Sequence, residues 1–212
     1  MANDHPRMRS AVRGYLDSRG FPSRDLALGL PEVSTIRVER RAEVIGYRGM
    51  HSSDGRVTFA SDTWSEIRRA GARITRGELL AADELQGLRT LLHEELHGCS
   101  WRGRRVYGAH GRVLEESLVE SLARAGVEDM AGMARGSLPG AYDEYLSPLR
   151  DALRRAFGED ADVDALIRGA ARPMWQRKHE TRDEYLEAFL DAVNPPADRR
   201  ARLGSAIRAI DP

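Results

Sequence analysis

With a single cysteine, Cys99, the chain cannot form an internal disulfide. Lysine is almost missing: Lys178 is the only one, so 32 of the 33 basic residues are arginine, a bias that fits a GC-rich genome better than a chemical role. Net charge is missing too, 33 basic residues standing against 33 acidic ones, which removes any global electrostatic case for nucleic acid or an anionic membrane. No apolar run approaches the roughly eighteen residues of a spanning helix, and Met1-Ala2-Asn3-Asp4-His5-Pro6 has none of the apolar stretch of a secretory signal. These absences predict a cytoplasmic protein with neither a nucleic-acid nor a membrane partner. What remains, 212 residues of which 41% are hydrophobic and 31% charged, suits one soluble globular domain with an appended helical lobe.

Against that background stands Leu91-Leu92-His93-Glu94-Glu95-Leu96-His97-Gly98. In a helix, His93 and His97 lie one turn apart on one face and can grip an ion between their imidazoles. Glu94 lies about 100° round that helix, where a carboxylate reaches a water on the metal rather than the metal itself. That is a zinc hydrolase arrangement. Leu85, Leu88, Leu92 and Leu96 have helical spacing, which predicts a helix whose back is core and whose edge lines a cleft. Asp83 marks its start and Gly98 its stop. The plainer alternative is an amphipathic helix with two half-exposed histidines. Cys99 makes a poor ligand, since binding from there would compete with the helix geometry.

In chain order, Met8 to Arg19 predicts a short helix closed by Gly20 and Pro22. Thr35-Ile36-Arg37-Val38, Glu43-Val44-Ile45-Gly46-Tyr47 and Arg56-Val57-Thr58-Phe59 are β-favouring runs, with Ser53-Asp54-Gly55 as the turn of a hairpin between the last two. A small, mostly antiparallel sheet is therefore expected before the motif helix, with Arg56 to Ala60 as the edge that pairs with an extended substrate. Asp62 to Ala70 predicts a helix ended by Gly71, with Trp64 and Ile67 as its apolar pair. Cys99 to His110 has no helical period and predicts a loop over the cleft. Beyond Val127 the chain is expected to be wholly helical: Tyr142 to Phe157, Val163 to Ala171, Met174 to Val193 and Ala197 to Ile210. Tyr145, Leu149, Leu153 and Phe157, and likewise Tyr185, Phe189 and Val193, are spaced as core stripes.

Gly111 to Ala125 is a strong helix pattern that contains Glu115-Glu116; eighteen residues separate His97 from Glu116, and Glu120 stands one turn beyond it. A zinc ion that keeps one position open for water needs a third protein ligand, which a carboxylate from a neighbouring antiparallel helix can supply. A further acid one turn on can orient a ligand histidine.

H-E-x-x-H followed by a helix with Glu-x-x-x-Asp/Glu resembles the gluzincin metallopeptidases, the thermolysin-like class, and the hairpin-then-motif order is similar to minimal forms encoded by phages and prophages. The resemblance covers roughly Ile36 to Arg124. It implies an α+β, zincin-like fold with residues 1–126 as catalytic core and 127–212 as helical lobe. It also implies zinc held by His93, His97 and Glu116, with Glu94 as general base, Glu120 behind the ligands and a protein or peptide substrate. Position 120 carries glutamate where thermolysin-like enzymes have aspartate, and Glu115 stands where they have asparagine. That leaves Glu115 and Glu116 both open as the third ligand; Glu116 is preferred because it alone has an acid four residues on. A metzincin would need a third histidine at Gly103, an aspzincin a downstream Gly-Thr-x-x-Asp, and the immunity-repressor and radiation-response peptidases a downstream Glu-x-x-Ala-Asn-x-Phe-Ala signature; all are missing. Tyr107 and His110, with His179 behind them, are the candidates for stabilising an oxyanion. The expected function is a zinc endopeptidase; the alternative is a non-catalytic interaction or virion-assembly protein that keeps the fold.

Overall fold

In the computed structural model of the chain, three short strands before the motif form one sheet: β1 (Ile36–Glu39), β2 (Gly49–His51) and β3 (Val57–Ala60), in the order β1-β3-β2. The structure describes residues 5–21, 36–39, 48–51, 57–100, 102–105, 109–134, 136–138, 143–176 and 178–210. β3 pairs in parallel with β1 and antiparallel with β2, so the sheet is mixed where a mostly antiparallel one was expected. All four β3 residues are buried, and a strand without a solvent face belongs in the middle of a sheet. This overturns the expectation that Arg56 to Ala60 is the edge. The strand at the edge on that side is β2, whose register sets Gly49 opposite Phe59 and His51 opposite Val57. The hairpin partner of β3 is thus Gly49–His51; residues 41–47 and the turn residues 53–55 lie outside the described residues.

The described residues form two compact units. The first comprises residues 1–100 and 123–138, the second 101–122 and 139–212. In the first, α1 (His5–Ser18) ends at Gly20, whose φ of 83° only glycine adopts freely. The next helix, α2 (Ser61–Arg76), runs through Gly71 instead of stopping there. Its stop is Gly77 at φ 68°, where the N–H groups of Gly77 and Glu78 bond the carbonyls of Ile74 and Arg73 and satisfy the last turn. Ile67 is buried, and Trp64 stacks on Phe59 with ring centroids 5.8 Å apart.

The motif helix, α3 (Ala82–His97), begins with Glu84, whose carboxylate accepts from the Ala81 N–H at 2.8 Å. Every residue from Gly87 to Ser100 is buried, so beyond its first turn and a half the helix has no solvent edge and is more central than its leucine stripe predicts, while Ala82 and Asp83 are exposed and Leu85 is only half-buried. Gly87 permits the close crossing with α2: a Cβ there would lie 2.7 Å from Glu66 Cβ and 2.9 Å from the Ile67 nitrogen. Arg48, at the mouth of β2, bonds Glu66 on α2 and reaches Thr90 Oγ1 on α3 at 3.5 Å. Burial pushes the Glu66 carboxyl above its usual range, against the pull of Arg48. From α1, Arg9 and Arg13 both bond the Glu95 carboxylate, Arg13 at 2.8 Å.

The helix α4 (Ala109–Ala131) runs unbroken through residue 126, where the domain boundary was expected. Its last turns belong to the first unit: Gly126 lies against Leu92 and Tyr15, and Asp129 accepts from Tyr15 Oη and Arg19, both at 2.9 Å. Its earlier turns belong to the second unit with α5 (Asp143–Phe157), α6 (Val163–Trp175), α7 (Arg182–Val193) and α8 (Ala197–Arg208). Two strands interrupt what the sequence presents as loop and helix. β4 (Arg102–Arg105) lies in the segment expected as loop and pairs in parallel with β5 (His179–Thr181), inside the expected helix Met174 to Val193. Tyr145, Leu149, Leu153, Tyr185, Phe189 and Val193 are buried, as their spacing predicts, while Phe157 is only half-buried. No helix among the described residues is long and apolar enough to cross a membrane.

Arg9 is 1% exposed, and Glu95 is its only ion-pair partner among the described residues. Removing one member of a buried pair strands the other charge, so Glu95→Leu should lose about 3–5 kcal/mol in urea unfolding. Arg9→Met in the same chain should restore part of that loss, whereas independent sites would simply add.

Candidate metal centre

Helical geometry sets the first two groups. His93 and His97 stand one turn apart on α3, 2% and 7% exposed, with Nε2 atoms 3.2 Å apart and rings edge to face at a centroid distance of 4.9 Å. They are therefore not the half-exposed surface pair of the plainer alternative. Glu116 on α4, half-buried, is the third group: one ligand atom from each of His93, His97 and Glu116 lies within 4.8 Å of the others. This cluster can hold a metal ion. Two imidazole nitrogens at about 2.0–2.1 Å from one tetrahedral ion stand about 3.3–3.4 Å apart, close to the 3.2 Å observed. The same spacing suits an N–H···N bond between the rings in the ion-free protein. Two imidazoles and one carboxylate are a donor set that suits zinc.

The choice between the adjacent acids of α4 follows from where each one points. Glu115 is buried and accepts a hydrogen bond from Tyr185 Oη, which in turn accepts from Trp175 Nε1 at 2.9 Å. Glu115 thus serves the interior of the second unit, and Glu116 joins the histidines. Ser117 Oγ donates to the Tyr145 carbonyl at 3.1 Å, which fixes the rotation of this stretch of α4 against α5. Glu120, one turn beyond Glu116, is fully buried.

Glu94 is 3% exposed, and its carboxylate lies against the backbone of β2. A Cβ at position 49 would stand 2.9 Å from Cγ and Oε1 of Glu94 and from Cγ2 of Thr90, so only glycine leaves this carboxylate its place. Two residues along the strand, on the same face, His51 is half-buried with its ring centroid 6.4 Å from that of His97. Met50, pointing the other way, is 46% exposed. Reasoning from the sequence missed both Gly49 and His51; the alternation of Gly49-Met50-His51 was their only local signal.

The remaining candidates divide. Tyr107 lies outside the described residues, and of His110 only the backbone is described, in the first turn of α4 rather than in a loop. His179 is buried in the second unit, with Nε2 2.7 Å from the Met174 carbonyl and its ring edge-on to Tyr185, a structural role. Cys99 is outside the cluster, its thiol 3.1 Å from the Phe21 carbonyl. A cavity of about 390 Å³ between α1 and α2, lined by Met8, Trp64, Ile67 and Ile74, contains none of the site residues.

Compared with models of known families, with characterised proteins and with solved structures, the chain matches none.

Two outcomes are expected. Wild type and Glu115→Ala should take up about one zinc ion per chain in equilibrium dialysis, and His97→Ala and Glu116→Ala should not; zinc kept by Glu116→Ala but lost by Glu115→Ala would reverse the ligand choice. Gly49→Ala should cost about 1–3 kcal/mol in thermal unfolding, as overpacking of a filled site does.

Proposed function

We propose that the chain is a zinc-dependent endopeptidase of the gluzincin type. The observation that carries this reading is the convergence of His93, His97 and Glu116, with the carboxylate of Glu94 on the neighbouring face of α3. When bound, zinc supplies Lewis acidity, which polarises a carbonyl and makes water a better nucleophile.

The chain's own residues do the rest. His93, His97 and Glu116 are the ligands, and the fully buried Glu120 steadies one of them. Glu94 is the general base: it accepts a proton from water as the C–O bond forms at the peptide carbonyl, then delivers that proton to the amine nitrogen as the C–N bond breaks. The backbone of Gly49 keeps this carboxylate in position, because a glutamate held against a strand has few rotamers open to it. Among the described residues no strand covers the outer side of β2, so an extended peptide adding there would run past Glu94 and the histidines. Tyr107 and His110 remain candidates for the oxyanion. The substrate is a protein or peptide, and the setting is cytoplasmic and phage-related, the latter in keeping with the short form of the motif domain.

A binding module has no physical need for a carboxylate at position 94, and the test follows from that. Glu94→Gln keeps the side chain's shape and removes its proton-accepting charge, so zinc content and melting temperature should hold while cleavage of a proteome-derived peptide library falls by about 10²–10⁴. A zinc-loaded wild type that cleaves nothing, or a Glu94→Gln that cleaves as fast, would replace the peptidase with the interaction or virion-assembly protein.

A further inference from the structure

We infer that His51 is a hydrogen-bond donor to whatever oxygen ligand binds at the cluster's open position, a role that rests on the metal reading of His93, His97 and Glu116. Three observations converge on it. His51 shares a strand face with Gly49, and Gly49 touches Glu94, so the face carrying His51 is turned toward α3. Its ring centroid is 6.4 Å from that of His97, with the planes tilted by 39°, within the range of neighbouring ring pairs, so His51 stands directly beside a histidine of the cluster. His51 also stands outside the set whose ligand atoms lie within 4.8 Å of one another. An imidazole near a metal ligand but outside the ligand set can act on what the metal holds.

The chemistry agrees with the placement. A neutral imidazole carries one N–H, and an oxygen ligand that gains negative charge accepts such a bond more strongly than a neutral one. On a strand anchored by three register pairs to the central β3, the donor's position is set by sheet geometry, and little ordering remains to be done when the ligand arrives. Half-burial leaves the ring reachable from solvent and partly shielded from it. The ligand class is a small oxygen donor: a carboxylate, a hydroxamate or a carbonyl in the course of hydrolysis. Because β2 is also the strand beside which an extended peptide would add, His51 joins the recognition of backbone to the recognition of the reacting oxygen.

Cobalt(II) in place of zinc gives a visible spectrum that reports ligand binding without any turnover, and acetohydroxamate is the probe. Wild type and His51→Ala should bind one equivalent of cobalt with affinities within about twofold, while the Kd for acetohydroxamate should rise about tenfold or more in His51→Ala, the effect of losing a hydrogen bond to a charged group. Of His51→Asn and His51→Gln, whose amides mimic the two ring nitrogens, one should keep acetohydroxamate binding within about threefold of wild type. These two variants, checked by thermal melting, keep the test decisive if His51→Ala fails to fold. Unchanged acetohydroxamate affinity in His51→Ala, equal loss in both amide variants, or cobalt binding without any acetohydroxamate binding in wild type would overturn the inference and leave the metal assignment standing. Loss of cobalt from His51→Ala would also overturn it, by making His51 a ligand, and a wild type that binds no cobalt would remove the metal centre and this role together. None of these readouts depends on peptide cleavage, so failure of the peptidase reading shows separately.

Discussion

Ionisable groups that leave water must meet compensating charge or hydrogen bonds, and α3 takes Glu84, Arg89, His93, Glu94, Glu95 and His97 into the interior along one short helix. The first unit is arranged around that demand. Glu84 is met by the Ala81 N–H and by Arg73 at 3.1 Å, and Glu95 by two arginines of α1. The N-terminal helix thus contributes charge as well as apolar surface: Met8, Val12 and Leu16 lie in the core while Arg9 and Arg13 reach the motif. Packing alone would not require so polar a helix at the centre of the unit. A buried set of histidines and carboxylates is costly unless it is paired, and such a set in the interior marks a candidate functional site.

Much of this was legible in the sequence because it is local. The histidines meet through i,i+4 spacing within one helix, and Glu116 was chosen over Glu115 by the same periodicity. The β-favouring runs at 35–38 and 56–59 foretold β1 and β3, though not β2, and the stripes of α5 and α7 foretold their cores, Phe157 apart. The illegible parts depend on pairing between distant segments. Nothing in Arg102-Gly-Arg-Arg105 marks a strand; it becomes one by pairing with His179–Thr181, far along the chain. The centrality of β3 follows from β1 taking its other side, a parallel pairing that no turn signal announces. Gly71 resembled a helix stop, yet α2 continues because Met8 packs over it, 3.4 Å from where a Cβ would stand. Tertiary contact overrode local propensity there.

Gly49 and His51 belong to the same class of hidden feature. Each is unremarkable in sequence, and each gains meaning only when the register Gly49↔Phe59 and His51↔Val57 turns both toward α3. The strand that matters to the site is therefore the short, polar one beside β3, and the more apolar strand serves as its support.

The two helices that carry the cluster use their acids in the same way. Each has adjacent glutamates, Glu94-Glu95 on α3 and Glu115-Glu116 on α4, and residues next to each other on a helix point about 100° apart. One glutamate of each pair is committed to structure: Glu95 to Arg9 and Arg13, Glu115 to the hydroxyl of Tyr185. The other goes to the cluster or its flank, Glu116 with the histidines and Glu94 against Gly49. The structural partner helps to set the helix's rotation about its own axis, on α4 together with the Ser117–Tyr145 bond, and that rotation aims the neighbouring acid. A carboxylate whose own side chain were free to swing would gain little from a fixed backbone; here an anchored neighbour fixes the backbone within one residue of the group that has to be aimed, where lever-arm error is smallest. The doubled acid thus divides its tasks, one glutamate bonded within its own unit and the next at the cluster or its flank, and the Trp175–Tyr185–Glu115 chain of hydrogen bonds stands behind the helix that carries Glu116.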